Sequence, residues 1–308
     1  MNQKKELVAP DVDAQIAIEA LDLHKAYGLT RALDGLSLNI NSGTITALLG
    51  PNGAGKTTFM ETICGMRAPD SGSIRVFGLD PVRHHRDLAL ILGVQVQEFS
   101  LQATVKVRES LTFFASLYPN PILVDEALHR FGLAEKADVR FPRLSGGQKR
   151  RLSIARALIG NPSVVVLDEP TAGLDPQGQE FLRDEIRRLR DEGRTVVLST
   201  HDVDEAEELA DEIVIIDRGT VIAQGTAQSI RSRSGYGHRL LIRTTSPQQL
   251  ADYLAPSPSL PRVDSVVVFT DTPEELRRQL EGRAKVIDER PASLEDIFLI
   301  LTGRGLRE

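Results

Sequence analysis

The sequence predicts an α/β fold in which a mainly parallel sheet carries an antiparallel β subdomain, a helical subdomain and a small C-terminal α/β domain. Three observations predict it. A glycine-rich stretch, Gly50-Pro51-Asn52-Gly53-Ala54-Gly55-Lys56-Thr57-Thr58, follows the apolar run Ile45 to Leu49 and opens a helical pattern. Short, largely apolar runs, Ser163 to Asp168 and Thr195 to Thr200, end on polar residues, as strands covered on both faces do. After Ser232-Arg233-Ser234-Gly235 the texture changes to short strand and helix patterns that alternate towards the C-terminus.

The glycine-rich stretch is the centre of this organisation. Gly50, Gly53 and Gly55 permit backbone angles that a Cβ forbids, so successive N–H groups turn inward on an anion at a helix N-terminus. In the phosphate-loop pattern the lysine, Lys56, reaches the β- and γ-phosphates, the hydroxyl of Thr57 ligates Mg²⁺, and the loop amides hold the inner phosphates. This defines a P-loop NTPase core. Alone it specifies only a nucleoside triphosphate, since kinases, GTPases and motors share it.

The 308 residues suffice for one large domain and a smaller one. A net charge of −6 provides no broad basic field, so a polyanion partner is disfavoured and no nucleic acid is expected. Cys64 is the only cysteine, which excludes an internal disulfide and a Cys-rich zinc cluster and fits a reducing compartment. His84 and His85 read as exposed. No apolar run reaches the roughly 18 residues of a membrane span, and Met1 to Glu6 lacks the apolar core of a signal peptide. The chain therefore reads as soluble and cytosolic, with docking onto a membrane partner left open.

Along the chain, residues 1–14 read as a loose tail. Ile16 to Leu23 and Leu36 to Ile40 alternate as half-buried strands. Tyr27, between them, either stacks on a base or packs its ring at a sheet edge. Thr57 to Arg67 is helical, ended by Gly65 and Pro69, and Ile74 to Phe77 is a strand. Leu88 to Gln97 reads as β-like, and Thr104 to Gly132 as helices interrupted by Pro119 and Pro121. Ser110 to Val124, with Phe113, Phe114, Leu117 and Tyr118, reads as the core of a helical insertion in preference to an exposed patch, because apolar runs are more often buried.

Leu144-Ser145-Gly146-Gly147-Gln148 precedes an amphipathic helix. Ser145 is a good helix cap and the two glycines let amides approach a phosphate, which makes either a second anion site or a plain capped turn. Lys149-Arg150-Arg151 reads as a solvated face. The run to Asp168-Glu169 invites a division of labour: Asp168 holds the Mg²⁺ shell, and Glu169, facing the γ-phosphate, accepts a proton from the attacking water. Asp175-Pro176 opens a helix to about Asp191, with Phe181, Leu182, Ile186 and Leu189 on its apolar face. His201 ends the next strand and is assigned a γ-phosphate contact, because ligands sit at the carboxyl ends of parallel strands. Glu212 to Asp217 and Thr220 to Gln224 finish the sheet.

Taken together, Gly50 to Thr58, Gln97, Leu144 to Gln148, Val164 to Glu169, Gly173-Leu174-Asp175 and His201 resemble the ATP-binding subunit of an ABC transporter, over about two-thirds of the chain. The resemblance implies that Gln97 joins the Mg²⁺ and water site to the helical subdomain, that Tyr27 stacks on adenine, that Asp175 lies in a loop crossing between subunits, and that His201 senses the γ-phosphate. It implies a head-to-tail dimer, with a second copy or a close paralogue, in which Ser145 and Gly147 of one subunit contact the phosphate held by Lys56 of the other. ATP and Mg²⁺ are the implied cofactors, an integral-membrane permease the implied partner, and the inner face of the cell membrane the implied location.

After residue 232, Arg239 to Arg243, Val263 to Phe269 and Lys285 to Ile287 read as strands. Pro247 to Leu254, Pro273 to Glu281 and Ser293 to Leu301 read as helices, and Pro256, Pro258 and Pro261 fall in the longest loop. The end, from Ser293 to Gly303, is similar to the C-terminal extension of ABC-2-type exporter ATPases, which serve drug, antibiotic or polyketide efflux. The expected domains are a tail (1–14), an ATP-binding domain (15–232, helical subdomain about 98–148) and an accessory domain (233–308). The competing reading is a soluble ABC-type ATPase acting on nucleic acid or ribosomes. Such relatives generally carry two cassettes, long coiled coils or zinc cysteines, against one cassette and one cysteine here.

Overall fold

The computed structural model describes residues 15–96, 101–255, 257–281 and 283–303. The expected tail (1–14) and Gln97 lie outside them. The chain divides into two compact units, Met1–Ile222 and Ala223–Glu308.

The first unit opens with β1 (Ile16–Tyr27) and β2 (Thr30–Asn41), which pair antiparallel. Ile18, Ala20 and Leu23 of β1 are buried with Leu36, Leu38 and Ile40 of β2, and the polar residues between them face out. The alternation suggested an end at Leu23. Instead β1 continues to Tyr27 past a bulge, where Asp22 takes φ +51° and its N–H donates to Ser37 Oγ at 2.8 Å. Five-residue β3 (Ile45–Leu49), buried throughout, leads into α1 (Lys56–Ile63). Next, β4 (Ser71–Val76) adds to β1 and closes a three-stranded antiparallel sheet in the order β2-β1-β4.

The stretch read as β-like from Leu88 is half helix: α2 (His85–Ile91) precedes a short β5 (Leu92–Gln95). Aliphatic residues fit either element when a run is short, and here only Leu88 of α2 is buried, the one-sided pattern of a surface helix. His84 is half-buried rather than exposed, its Nδ1 accepting from the Asp80 N–H at 3.2 Å.

The helical subdomain holds α3 (Val107–Ala115) and α4 (Val124–Arg130), then two short 3₁₀ turns. The expectation that Ser110 to Val124 forms core is corrected. Val107, Leu111 and Ala115 make the inward stripe of α3 at helical spacing, which turns Phe113 out at 61% exposure, and in the segment after the helix Leu117 is 57% and Leu123 73% exposed.

α5 (Gly146–Leu158), β6 (Val164–Asp168), α6 (Pro176–Asp191), β7 (Thr195–Thr200), α7 (Val203–Leu209), β8 (Glu212–Asp217) and β9 (Thr220–Gly225) follow. The six-stranded sheet runs β5-β6-β7-β3-β8-β9, with β5, β6, β7, β3 and β8 parallel. α1 and α5 pack on β6, and α6 and α7 pack on β3 and β7, so β3 and β7 are buried along their whole lengths. The phosphate loop, Asp168 and His201 all leave the carboxyl ends of adjacent strands. One core joins the two sheets: Phe59, Met60 and Ile63 of α1 belong to the same buried cluster as Ile18 and Val76 of the antiparallel sheet and Val166 and Val197 of the parallel one.

The helical subdomain is tied to α6 by charge. Arg130 Nε donates to Glu185 Oε2 at 2.6 Å and its guanidinium also meets Glu192 at 3.1 Å, with the Arg130 and Glu185 side chains only 8% and 11% exposed. Glu185→Ala leaves a buried guanidinium short of its nearer partner. The expected loss of stability is about 3 kcal/mol, read as a lower urea midpoint at unchanged slope. A loss under about 0.5 kcal/mol would mean that Glu192 alone compensates Arg130.

In the second unit α8 (Ala227–Arg233) packs against the last helix, so the division falls before the composition change at 232. β10 (His238–Arg243), α9 (Pro247–Tyr253), β11 (Ser259–Pro261), β12 (Ser265–Thr270), α10 (Pro273–Leu280), β13 (Lys285–Pro291) and α11 (Leu294–Thr302) form an antiparallel sheet, ordered β11-β12-β10-β13, with helices over a core of Leu240, Ile242, Val266, Val268, Leu250 and Leu276. The proline-rich loop carries the edge strand β11. Its Pro261 ends that strand, where a missing N–H is tolerated.

Candidate active site

The phosphate loop is held by close backbone approaches. Gly55 has φ +108°, and a Cβ there would lie 2.3 Å from Ala32 O. At Gly50 the reason differs from the expected one. Its φ is not left-handed, but a Cβ would lie 2.3 Å from Ile216 O, so space excludes a side chain. Helix α1 starts directly at Lys56 with no side-chain cap, leaving its first amides and its positive end to an anion. Lys56 is buried and folds back, its Nζ donating to Gly50 O at 2.6 Å and Pro51 O at 3.2 Å. Burial draws its pKa below the usual lysine range, opposed by the negative charges of Glu169 and Asp168.

Those carboxylates arrive on β6. Asp168 Oδ1 accepts from Ser199 Oγ at 2.5 Å, and the same Ser199 oxygen accepts the Glu169 N–H at 3.0 Å, so one hydroxyl of β7 fixes both acids. Glu169 takes φ +47°, a conformation that costs a non-glycine residue on the order of 1–3 kcal/mol and is concentrated at functional sites. His201 Nδ1 lies 3.0 Å from Glu169 Oε1. The histidine assigned to the phosphate is thus paired with the carboxylate.

Asn52 to Thr58, Asp168, Glu169 and Tyr27 line one cleft of about 270 Å³. Gly50 and Pro51 are buried beneath it and supply the carbonyls that hold Lys56. Tyr27 is 42% exposed at the end of β1, with the Arg67 guanidinium 5.3 Å and the Lys25 ammonium 6.0 Å from its ring centroid. Thr57 and Asp168 offer hard oxygen donors within this cleft, the donor chemistry that Mg²⁺ takes. Gln97, the other residue assigned to the metal, is outside the described residues.

Ser145, Gly146, Gly147 and Asp175 line a different cleft, of about 520 Å³, between the start of α5 and the turn into α6. Ser145 caps α5: its Oγ accepts the Gln148 N–H at 3.3 Å, and Gln148 Oε1 accepts the Ser145 N–H at 3.0 Å. Asp175 caps α6 by accepting the Gly178 N–H at 2.8 Å. A Cβ on Gly146 would meet nothing within 4 Å, and one on Gly147 only Leu174 Cδ2 at 3.7 Å. Among the described residues the space beside Gly146 is open.

The ABC transporter family matches residues 33–172. A Nod factor export ATP-binding protein I of Rhizobium sp. (strain N33) is 37% identical over 304 residues, 96% of this chain and 100% of that protein. The chain belongs to the ABC transporter ATP-binding subunits. The ATP-binding subunit of an ABC transporter superposes with TM-score 0.66 at 27% identity, over 71% of this chain and 93% of that one. A dimeric ATP-binding cassette in a post-hydrolysis state, bound to ADP and Pi, gives TM-score 0.62 at 26% identity, over 68% and 98%. This ABC ATPase is therefore an ATP hydrolase with a P-loop core.

Several residues of the ABC ATPase escaped the sequence reading. Ser199 is one, although a serine and a threonine closing an otherwise aliphatic strand were a visible signal. Arg150 is another: it leaves α5 as part of a basic run read as solvated, yet it is half-buried beside Ala172 O, at 3.5 Å. Burial lowers its pKa, while Glu169 and Asp168 raise it. Cys64 borders a second cavity with Thr57, Gln95 and Asp168, and burial, then Glu61 and Asp168, push its thiol up to about 12, so it is no nucleophile at neutral pH.

Proposed function

We propose that the chain hydrolyses ATP as a head-to-tail dimer, with a second copy or a close paralogue, and that turnover drives a separate integral-membrane permease exporting a drug-like or hydrophobic compound. The observation that carries this reading is the division of the phosphate-binding features between two clefts. Lys56, Asp168 and Glu169 line one, Ser145 to Gly147 line the other, and a Cβ on Gly146 would meet no described residue within 4 Å. A partner's bound phosphate fits that space. The dimeric cassette among the similar structures supports the pairing, and the relative's name, Nod factor export ATP-binding protein, supports outward transport. In this reading the chain works at the inner face of the cell membrane, docked on that permease. No helix among the described residues is long and apolar enough to cross a membrane.

In the proposed mechanism the loop amides and Lys56 bind the phosphates, and Tyr27 stacks on adenine. Lys56 exchanges its two carbonyl partners for phosphate oxygens. Glu169 orients the attacking water and takes its proton, while His201 holds the Glu169 carboxylate from the side. Ser145 and Gly147 of the partner subunit stabilise the γ-phosphate across the interface, and Asp175 braces the turn that delivers them. Thr57 and Asp168, with Gln97, would hold Mg²⁺. Bound there, it supplies neutralisation of charge on the β- and γ-phosphate oxygens.

Mixing tests the shared site. A chain carrying Lys56→Ala and a chain carrying Ser145→Ala are each expected to be inactive as homodimers. Combined, they form mixed dimers with one intact composite site and recover partial hydrolysis. Absence of recovery in mixed dimers demonstrated by mass would count against a site built from two chains.

A further inference from the structure

Glu205 is a buried carboxylate that the mechanism above does not use. It is 3% exposed in the first turn of α7, and no Lys, Arg or His lies within salt-bridge distance of it among the described residues. Each oxygen instead accepts one hydroxyl. Oε1 takes Thr171 Oγ1 at 2.5 Å and Oε2 takes Thr200 Oγ1 at 2.5 Å, and both threonines are themselves more than nine-tenths buried. A buried carboxylate held only by neutral donors is expensive, and one that does no more than fill space is replaceable by an aliphatic residue.

The two hydroxyls belong to the segments that carry the reactive pair. Thr171 is two residues beyond Glu169, in the turn closed by Ala172 N donating to Glu169 O at 3.2 Å. Thr200 immediately precedes His201, and its Oγ1 also accepts the Asp202 N–H at 3.0 Å, so the backbone is held on both sides of the histidine. Asp202 Oδ1 in turn accepts the Glu205 N–H at 3.2 Å, which locks the carboxylate's own backbone to the same segment. The two ends of this brace lie at the carboxyl ends of neighbouring strands, Thr171 in the turn three residues after β6 and Thr200 as the last residue of β7, and His201 Nδ1 meets Glu169 Oε1 at 3.0 Å.

The geometry points to Glu205 as a positioning residue for ATP hydrolysis: by stapling Thr171 to Thr200 it sets the approach of His201 to the Glu169 carboxylate, and with it the aim of the base at water. This rests on the roles of Glu169 and His201 proposed above. Glu205 lines neither of the two clefts described above, and it makes no hydrogen bond to the phosphate loop. Its loss therefore acts on the chemical step and spares ATP binding.

The test uses the full chain with ATP and Mg²⁺ and normalises turnover to the ATP-binding-competent fraction. Glu205→Leu removes both acceptors at similar volume. ATP affinity by equilibrium titration is expected to stay within about threefold, with kcat down by about 10²-fold and KM little changed, the loss typical of a base misplaced by an ångström. Glu205→Gln, which accepts from one threonine and donates to the other, is expected to recover most of kcat. A purely structural residue would lower the amount of folded chain and leave kcat per competent site unchanged. Retained kcat within about threefold in the Leu variant overturns the inference, as does a loss that Gln does not rescue. If the Leu variant does not fold, Thr171→Val and Thr200→Val each remove one hydroxyl at constant shape. Each is then expected to lower kcat, with the double variant losing less than the product of the two losses, and normal kcat in both overturns the assignment. Glu169→Gln is run beside them: if it hydrolyses ATP normally, the reading of the base fails, whereas if it is inactive while the Glu205 and threonine variants are normal, only the staple fails.

Discussion

Glu169→Gln is expected to keep ATP binding while hydrolysis falls by about 10²–10⁴-fold, the range that a positioned base contributes. The amide preserves the side chain's shape and its contact with His201 Nδ1, now 3.0 Å from Oε1, but it takes no proton from water. The strained backbone at φ +47° and the Ser199 contact to the Glu169 N–H involve no carboxylate, so the turn should hold its form. On the proposed reading Glu169 faces the γ-phosphate, so removing its charge is also expected to favour the ATP-filled state. Binding and turnover should therefore separate, and size-exclusion chromatography with ATP beside a phosphate-release assay shows whether they do. Hydrolysis within about threefold of the wild type would falsify the assignment of the base. An inactive variant that forms no ATP-dependent dimer would keep the base and remove the clamp.

The second large effect is expected at Lys56. Its ammonium is the cation buried in the loop, and hydrogen bonds to charged groups contribute about 1.5–3 kcal/mol each, so Lys56→Ala should weaken ATP binding by at least about 10- to 100-fold and abolish turnover. The fold should tolerate the change, because the loop is shaped by glycine approaches to Ala32 O and Ile216 O that the lysine does not make. Titration with a fluorescent ATP analogue reads the loss directly. Wild-type affinity in the variant would remove the loop from the nucleotide site.

Much of the fold was legible because its signals are local. Val164 to Asp168 and Thr195 to Thr200 are aliphatic enough to require cover on both faces, and Asp175-Pro176 marks the start of α6 as the structure has it. What escaped depends on neighbours distant in sequence. Leu88 to Ile91 is aliphatic enough for a strand, and only its one-sided packing makes it a helix. Phe113 was read as core because it is large and apolar, yet the stripe of Val107, Leu111 and Ala115 had already decided which side of α3 turns inward. In the site, the side-by-side placement of Lys56, Asp168 and Glu169 was readable from strand ends. The hydrogen bonds that orient them were not, since Ser199 and Glu205 act from the next strand and helix over, and Arg130 finds Glu185 across 55 positions of sequence.

The two carbonyl partners of Lys56 bear on what a measured nucleotide affinity would contain. Its ammonium already has two carbonyl acceptors, Gly50 O and Pro51 O, within the loop itself. On the reading proposed above, nucleotide entry is then an exchange of partners in which phosphate oxygens displace carbonyls of the same loop. Only the difference between the two sets appears as affinity. A group kept satisfied in both states can let go as easily as it takes hold, and a machine that must release its spent nucleotide on every cycle needs that symmetry more than it needs tight binding.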